Sequence, residues 1–223
     1  MAAYASKNCH ALVEKPLCFD SGDVDLLRHK YQESGKVLAV GHVERFNPCV
    51  QWAKQHAGEL SYLEFERTCT QKERGRDVSV VMDLMIHDID LALHITGKQW
   101  ACVYASGNEN RAEAHLTLAD GTSCDFIADR EHHANLRTIS AEAGFNKLVN
   151  LNLATQEGCT YEEQAKRIER KFLQLNKQNA LAMQLQEFIL VCNGEKPTTL
   201  ATGRDGLEAV RIAEEIESQL GTK

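Results

Sequence analysis

Asp83, His87, Asp90 and His94 stand four, three and four residues apart within the segment Val80 to Thr96. On an α-helix that spacing lays all four along one stripe of one face. Apart from Asp88, the rest of the segment is apolar almost all the way round, the pattern of a buried helix. Two carboxylates and two imidazoles on such an element must face water, each other or a ligand. A wet seam, a satisfied internal network and the wall of an active site are therefore all open, because perturbed titrating groups gather at functional sites and in structural networks alike. Asp83 and His87, an i,i+4 pair, suit the roles of orienter and general base, since an imidazole held by a carboxylate is poised near neutral pH. A purely structural pair is the alternative.

Metal binding through His87, Asp90 and His94 is disfavoured, because positions in line on one helix seldom complete a coordination shell. His87-Asp88 is also the pair used by HD-type phosphohydrolases, but the further ligands those sites need on other helices are not evident. Lys15 is a second candidate. It follows a short apolar run, His10 to Glu14, and precedes Pro16. That run reads as a buried strand ended by a residue that cannot donate to a ladder. A lysine at the carboxyl end of a parallel strand sits where open α/β sheets bind ligands, and can stabilise developing negative charge. Taken alone the Glu-Lys-Pro motif is weak, and a surface lysine at a strand end is the favoured reading.

The elements that must position these groups alternate. A helix capped by Asp20 or Ser21, with Val24, Leu27 and Tyr31 on its inner stripe, ends at Gly35. Lys36 to Gly41 then gives a second buried strand, so the chain opens on one right-handed β-α-β unit. A lone unit of this kind cannot cover both faces of its sheet. Either later residues complete it or something upstream does. A polar and aromatic loop, 42–48, leads to a short helix around Val50, Trp52 and Ala53 and a strand at 62–68. Residues 71–79 read as a charged loop feeding the central helix. Beyond Gly97 the period changes to two, with strands at 101–106, 111–118, 122–129, 137–143 and 147–153 and turns at Asp120-Gly121 and Gly144. Residues 166–177 read as a charged loop or helix. Helices at 180–191 and 205–220 follow, parted by Asn193-Gly194 and Pro197. The class is α/β (α+β), with a large, open, mostly antiparallel sheet.

Composition narrows the function. The 223 residues carry a net charge of −7, and no basic stripe suggests nucleic acid. Charges interrupt every apolar run before it could span a bilayer, and the first ten residues have no apolar signal-peptide core. The eight cysteines, never two close together, read as reduced thiols of a cytoplasmic protein rather than a zinc site.

Three segments in order carry a resemblance: Leu-Val-Glu-Lys-Pro at 12–16, Val-Gly-His-Val-Glu-Arg-Phe-Asn-Pro at 40–48, and Met-Asp-Leu-Met-Ile-His-Asp-Ile-Asp at 82–90. From about residue 8 to its end the chain resembles the Gfo/Idh/MocA family of NAD(P)-dependent sugar dehydrogenases. The second and third segments are most similar to the branch that oxidises the 3-hydroxyl of UDP-N-acetylglucosamine on a route to diamino-sugar lipid A. The resemblance implies NAD or NADP as cofactor and a sugar or nucleotide-sugar as substrate. It implies Lys15 near nicotinamide and sugar, Asp83 on a sugar hydroxyl and His87 as general base. Glu14, Lys15 and Pro16 would border the cofactor, with the peptide before Pro16 cis, and Arg45 and His42 would meet substrate. A homodimer or homotetramer would form through the open sheet.

One departure stands out. In this family Glu-Lys-Pro follows most of a Rossmann domain, whereas here about a dozen residues precede it and no Gly-x-Gly-x-x-Gly occurs. Residues 1–42 are thus expected to be the C-terminal remnant of a Rossmann domain, and 43–223 the substrate-binding and dimerisation domain. On this reading Met1 to Ala5 is the tail of a preceding helix and the chain is N-terminally truncated. By itself it is then expected to be inactive and to bind NAD(H) weakly. A catalytically inactive dimeric remnant or a sugar-binding module is the alternative to an enzyme.

Overall fold

A computed structural model describes residues 8–70, 78–164 and 167–221. It is a mixed α/β structure with two sheets. The small sheet holds β1 (Ala11–Val13) and β2 (Leu38–Val40), paired in parallel and joined through helix α1 (Ser21–Glu33). Asp20 caps α1 by accepting from the Asp23 N–H, and Val24, Leu27 and Tyr31 form its buried face. The β-α-β unit is extended from the far end of the chain. Strand β11 (Ala201–Thr202) adds antiparallel to β2, and the helix that follows it packs on α1.

Between these parts the chain forms a 3-10 turn (Val43–Phe46), helix α2 (Pro48–Gln55) and β3 (Leu60–Thr68). A π-helical turn (Val81–Met85) then runs into α3 (Ile86–Thr96), which stops at Gly97 with φ of 67°. That left-handed conformation suits glycine and ends the helix. The remaining strands are β4 (Trp100–Gly107), β5 (Arg111–Leu118), β6 (Ser123–Asp129), β7 (Leu136–Ala143), β8 (Lys147–Asn152), β9 (Glu157–Gln164) and β10 (Arg167–Phe172). With β3 they make an eight-stranded sheet in the order β10-β9-β8-β7-β3-β6-β5-β4. Every pairing is antiparallel except β3 with β6.

Helices α4 (Ala180–Cys192) and α5 (Gly203–Gln219) close the chain. Helix α3 and α5 lie between the sheets. Their apolar faces join one continuous core that runs from Val24 and Val40 through Ile89 and Val210 to Phe65, Phe126 and Ile139. The opposite face of the small sheet is covered by Phe46 and Leu200, with Phe188 and Val191 of α4 packed against them.

The segment 166–177, expected as loop or helix, is corrected in part: residues 167–172 are β10, residues 173–177 are loop, and β9 before them was not anticipated. All six β10 residues are exposed, so no buried face imprints alternation on the sequence. The ladder to β9 makes the strand, and its charges suit a sheet edge. Helix α4 also departs from its pattern, exposing Leu181, Leu185 and Ile189 while burying Gln184. Most of the expected loop at 71–79, and the expected helix tail at 1–5, lie outside the described residues.

Candidate functional site

The walls of one cleft of about 770 Å³ come from six places in the chain. Lys15 enters from the tip of β1, Glu44 from the 3-10 turn, and Arg67 and Thr68 from the end of β3. Asp83 and His87 come from the π-turn and the first turn of α3. Arg130, Asn135 and Arg137 come from the connection between β6 and β7 and the start of β7. Lys15, Asp83 and His87, distant in sequence and singled out by type and spacing, all line this space.

The π-turn sets the near wall. Ser79 begins it, its hydroxyl accepting from the Met82 N–H and its carbonyl from the Asp83 N–H. Such turns inside helices recur at functional sites. The Lys15 ammonium donates to the Asp83 carbonyl at 2.5 Å and lies 3.4 Å from Asp83 Oδ1. Burial lowers the Lys15 pKa, against the pull of Asp83. The Lys15–Pro16 peptide is cis. Glu14 beside it is exposed and passes close to the end of β2: a Cβ on Gly41 would stand 3.2 Å from the Glu14 Cα. A side chain at Gly41 would crowd Glu14 where the two strand ends approach.

Burial holds the His87 pKa well below its usual value, reinforced by Arg67 and Lys15. The imidazole is therefore neutral at pH 7. Its Nδ1 is enclosed and has no hydrogen-bond partner. The expected orienting bond from Asp83 is corrected here: that carboxylate turns to Lys15, which competes for it across the cleft. His42 backs His87 edge-on, with ring centroids 6.4 Å apart, but lies behind the cleft wall. Its own Nδ1 is 3.7 Å from Asp90 Oδ2.

The four-residue stripe is divided along its length. Asp83 and His87 face the cleft, while Asp90 and His94, one to two turns on, are roofed over. Asp90 accepts a bidentate pair from Arg45 at 2.6 and 2.8 Å, and Arg45 also lies 3.3 Å from Asp205. The expectation that Arg45 meets a phosphate or sugar in this cleft is corrected, because its guanidinium is buried and engaged by those carboxylates. On the other side of α3, Asp88 accepts a second bidentate pair from Arg67 at 2.7 and 2.9 Å. Two Arg–carboxylate forks of this geometry fix the roll of the helix, and with it the direction of His87.

Arg67, Asp88, Glu44, Arg130 and Arg137 were not anticipated. A signal existed for two of them. Leu63, Phe65 and Arg67 share one side of β3, and Arg137, Ile139 and Ala141 share one side of β7, so each strand puts a cation on its apolar face. Among the described residues, no group of three or more His, Cys, Asp or Glu side chains could hold a metal ion. All eight cysteines are free.

No family model matches the chain. A UDP-N-acetylglucosamine 3-dehydrogenase from Acidithiobacillus ferrooxidans is 33% identical over 223 residues, covering 92% of this chain and 71% of that protein. The chain belongs to the Gfo/Idh/MocA family of oxidoreductases. A solved structure of that dehydrogenase superposes with a TM-score of 0.90 at 29% identity, over 98% of this chain and 73% of the other. A levoglucosan dehydrogenase, solved in complex with NADH and L-sorbose, shares the fold at a TM-score of 0.84 and 15% identity, over 98% and 73% of the two chains. The family assignment agrees with the large, mostly antiparallel sheet and the small sheet beside it. No helix among the described residues is long and apolar enough to cross a membrane.

Proposed function

We propose that this cleft serves the NAD(P)-dependent oxidation of a secondary hydroxyl of a sugar, with C3 of a UDP-linked N-acetyl-amino sugar as the substrate position. The observation that carries the reading is the meeting of Lys15, Asp83 and a neutral, half-buried His87 on one cavity. A base must be unprotonated at working pH, and burial keeps this imidazole so. His87 takes the hydroxyl proton. Lys15, held by Asp83, donates to the same oxygen and stabilises the negative charge that builds there. The Asp83 carboxylate accepts from a neighbouring sugar hydroxyl and fixes the ring.

The residues present fit the nicotinamide end of a dinucleotide. Lys15 stands at the carboxyl end of a parallel strand, and the enclosed His87 Nδ1 marks a polar wall without a protein partner. When bound, the nicotinamide supplies the hydride acceptor. A Gly-x-Gly-x-x-Gly turn for the pyrophosphate does not occur in these 223 residues. We read residues 11–40, with β11 added, as the part that faces the cofactor. The uncovered face of the large sheet, carrying Tyr104, His115 and Asp125, is where a second copy would pair.

The test is His87→Ala in a chain that also carries the Gly-rich turn. Turnover of UDP-N-acetylglucosamine is expected to fall by orders of magnitude with folding intact. Turnover near that of the unsubstituted protein would remove His87 from the chemistry.

A further inference from the structure

Arg67 and Arg137 are directly opposite partners in the β3–β7 ladder and both line the cleft. Like charges in that relation destabilise a sheet. The arrangement is only partly relieved. Arg67 is bound to Asp88 behind it, and a single carboxylate, Glu44, stands between the two guanidinium groups, 3.7 Å from Arg67 and 3.5 Å from Arg137. Arg130, a third arginine, lines the same end and donates to the Val78 carbonyl at 2.7 Å. Among the described residues, Lys15, Arg67, Arg130 and Arg137 border the cleft, with Glu44 and Asp83 in its lining and Asp88 behind Arg67.

We propose that the end of the cleft formed by Arg137 and Arg130 is a phosphate subsite for the substrate, and that it selects a phosphorylated or nucleotide-linked sugar over the free sugar. This rests on the proposed sugar oxidation for its identity but not for its test. Guanidinium forks match phosphate oxygens in pairs, which a lone ammonium cannot do. The position separates this phosphate from the cofactor's. Arg130, Asn135 and Arg137 all belong to the large sheet and its connections, whereas Lys15 comes from the tip of β1 in the small sheet. Arg67, locked by Asp88, acts as the fixed neighbour. Arg137, with its side chain 54% exposed, is the one able to close on a ligand. Glu44 holds Arg137 in place until a phosphate replaces it.

Calorimetric titration of the 223-residue chain with UDP, UDP-N-acetylglucosamine, free N-acetylglucosamine and NADPH tests this, with Arg137→Gln and Arg137→Lys beside the unsubstituted protein. Arg137→Gln is expected to weaken both uridine ligands roughly tenfold to a hundredfold, as for loss of a hydrogen-bonded charge, and to leave the free sugar unchanged. Arg137→Lys is expected to recover part of the loss, and rising salt to shrink it. Equal binding of UDP by Arg137→Gln and the unsubstituted protein overturns the subsite. So does failure of UDP to bind at all, and so does a loss confined to NADPH. Full turnover in His87→Ala would sink the oxidation chemistry while leaving the Arg137 result standing.

Discussion

Acidification offers a quantitative test of how the roofed half of the stripe is built. His94 is nearly enclosed, and Lys54 Nζ lies 3.3 Å from each of its ring nitrogens. Burial, with Arg45 and Lys54 adding to it, pushes its pKa down to about 3. In the unfolded chain a histidine titrates near ~6.5. Between these values the unfolded state binds a proton that the native state refuses, so stability falls as pH falls. The slope is about 1.4 kcal/mol per pH unit. Nothing is lost above about pH 6.5, and the cost reaches about 2 kcal/mol at pH 5. The assay is urea unfolding at pH 7.5, 6 and 5, followed by the fluorescence of Trp52 and Trp100. His94→Gln should narrow the stability gap between pH 7.5 and pH 5 by about 2 kcal/mol. His42 and His87, also lowered by burial, act in the same direction in both proteins and cancel from the comparison. An unchanged gap in His94→Gln would refute the reasoning, because it would mean that the native imidazole accepts its proton as readily as the unfolded one.

Other perturbations have expected outcomes of their own. Arg45→Leu strands the Asp90 carboxylate in the interior and should cost about 3–5 kcal/mol in denaturant unfolding, most of it recovered in the double variant Arg45→Leu/Asp90→Leu; equal instability of single and double variants would contradict this. Phe65→Ala removes a fully buried ring stacked on Phe126, with centroids 5.4 Å apart, and should cost about 3–5 kcal/mol. Thr202→Ala breaks the reciprocal cap of α5, in which Thr202 and Asp205 each accept the other's backbone N–H, and should lower the midpoint by the equivalent of about 1 kcal/mol. In a chain carrying the Gly-rich turn, Lys15→Met should lower kcat by about a hundredfold or more, as for loss of one preorganised donor; kinetics showing a change in KM alone would assign Lys15 to binding only.

Much of this was readable from residues because local rules and the final packing agree. The Asp20 cap, the Gly97 stop and the turns at Gly121 and Gly144 each sit where backbone chemistry demands. The alternation in β5 has its cause in a core on one face only. Where the reading failed, the determining partner was distant. Nothing near residue 170 reveals that β9 offers it a ladder. Arg45 looked available because Asp90 and Asp205 come from elsewhere in the chain. Asp83 and His87 had the spacing of a pair, yet Lys15, 68 residues upstream, takes the carboxylate. The stripe itself was legible, but its division into a wet half and a dry half depends on which neighbours roof it.

The addition of Ala201–Thr202 to the flank of Leu38–Val40 also bears on how the chain reaches its native state. Strand β2 waits for about 160 further residues of synthesis before its β11 neighbour exists. Loop closure over that separation comes late and cannot be hastened by local helix formation. Until then the nascent polypeptide carries an open seam along the edge of β2 that faces away from β1. Protein fragments ending before residue 200 should therefore stick to one another through that seam, whereas those that include α5 should not.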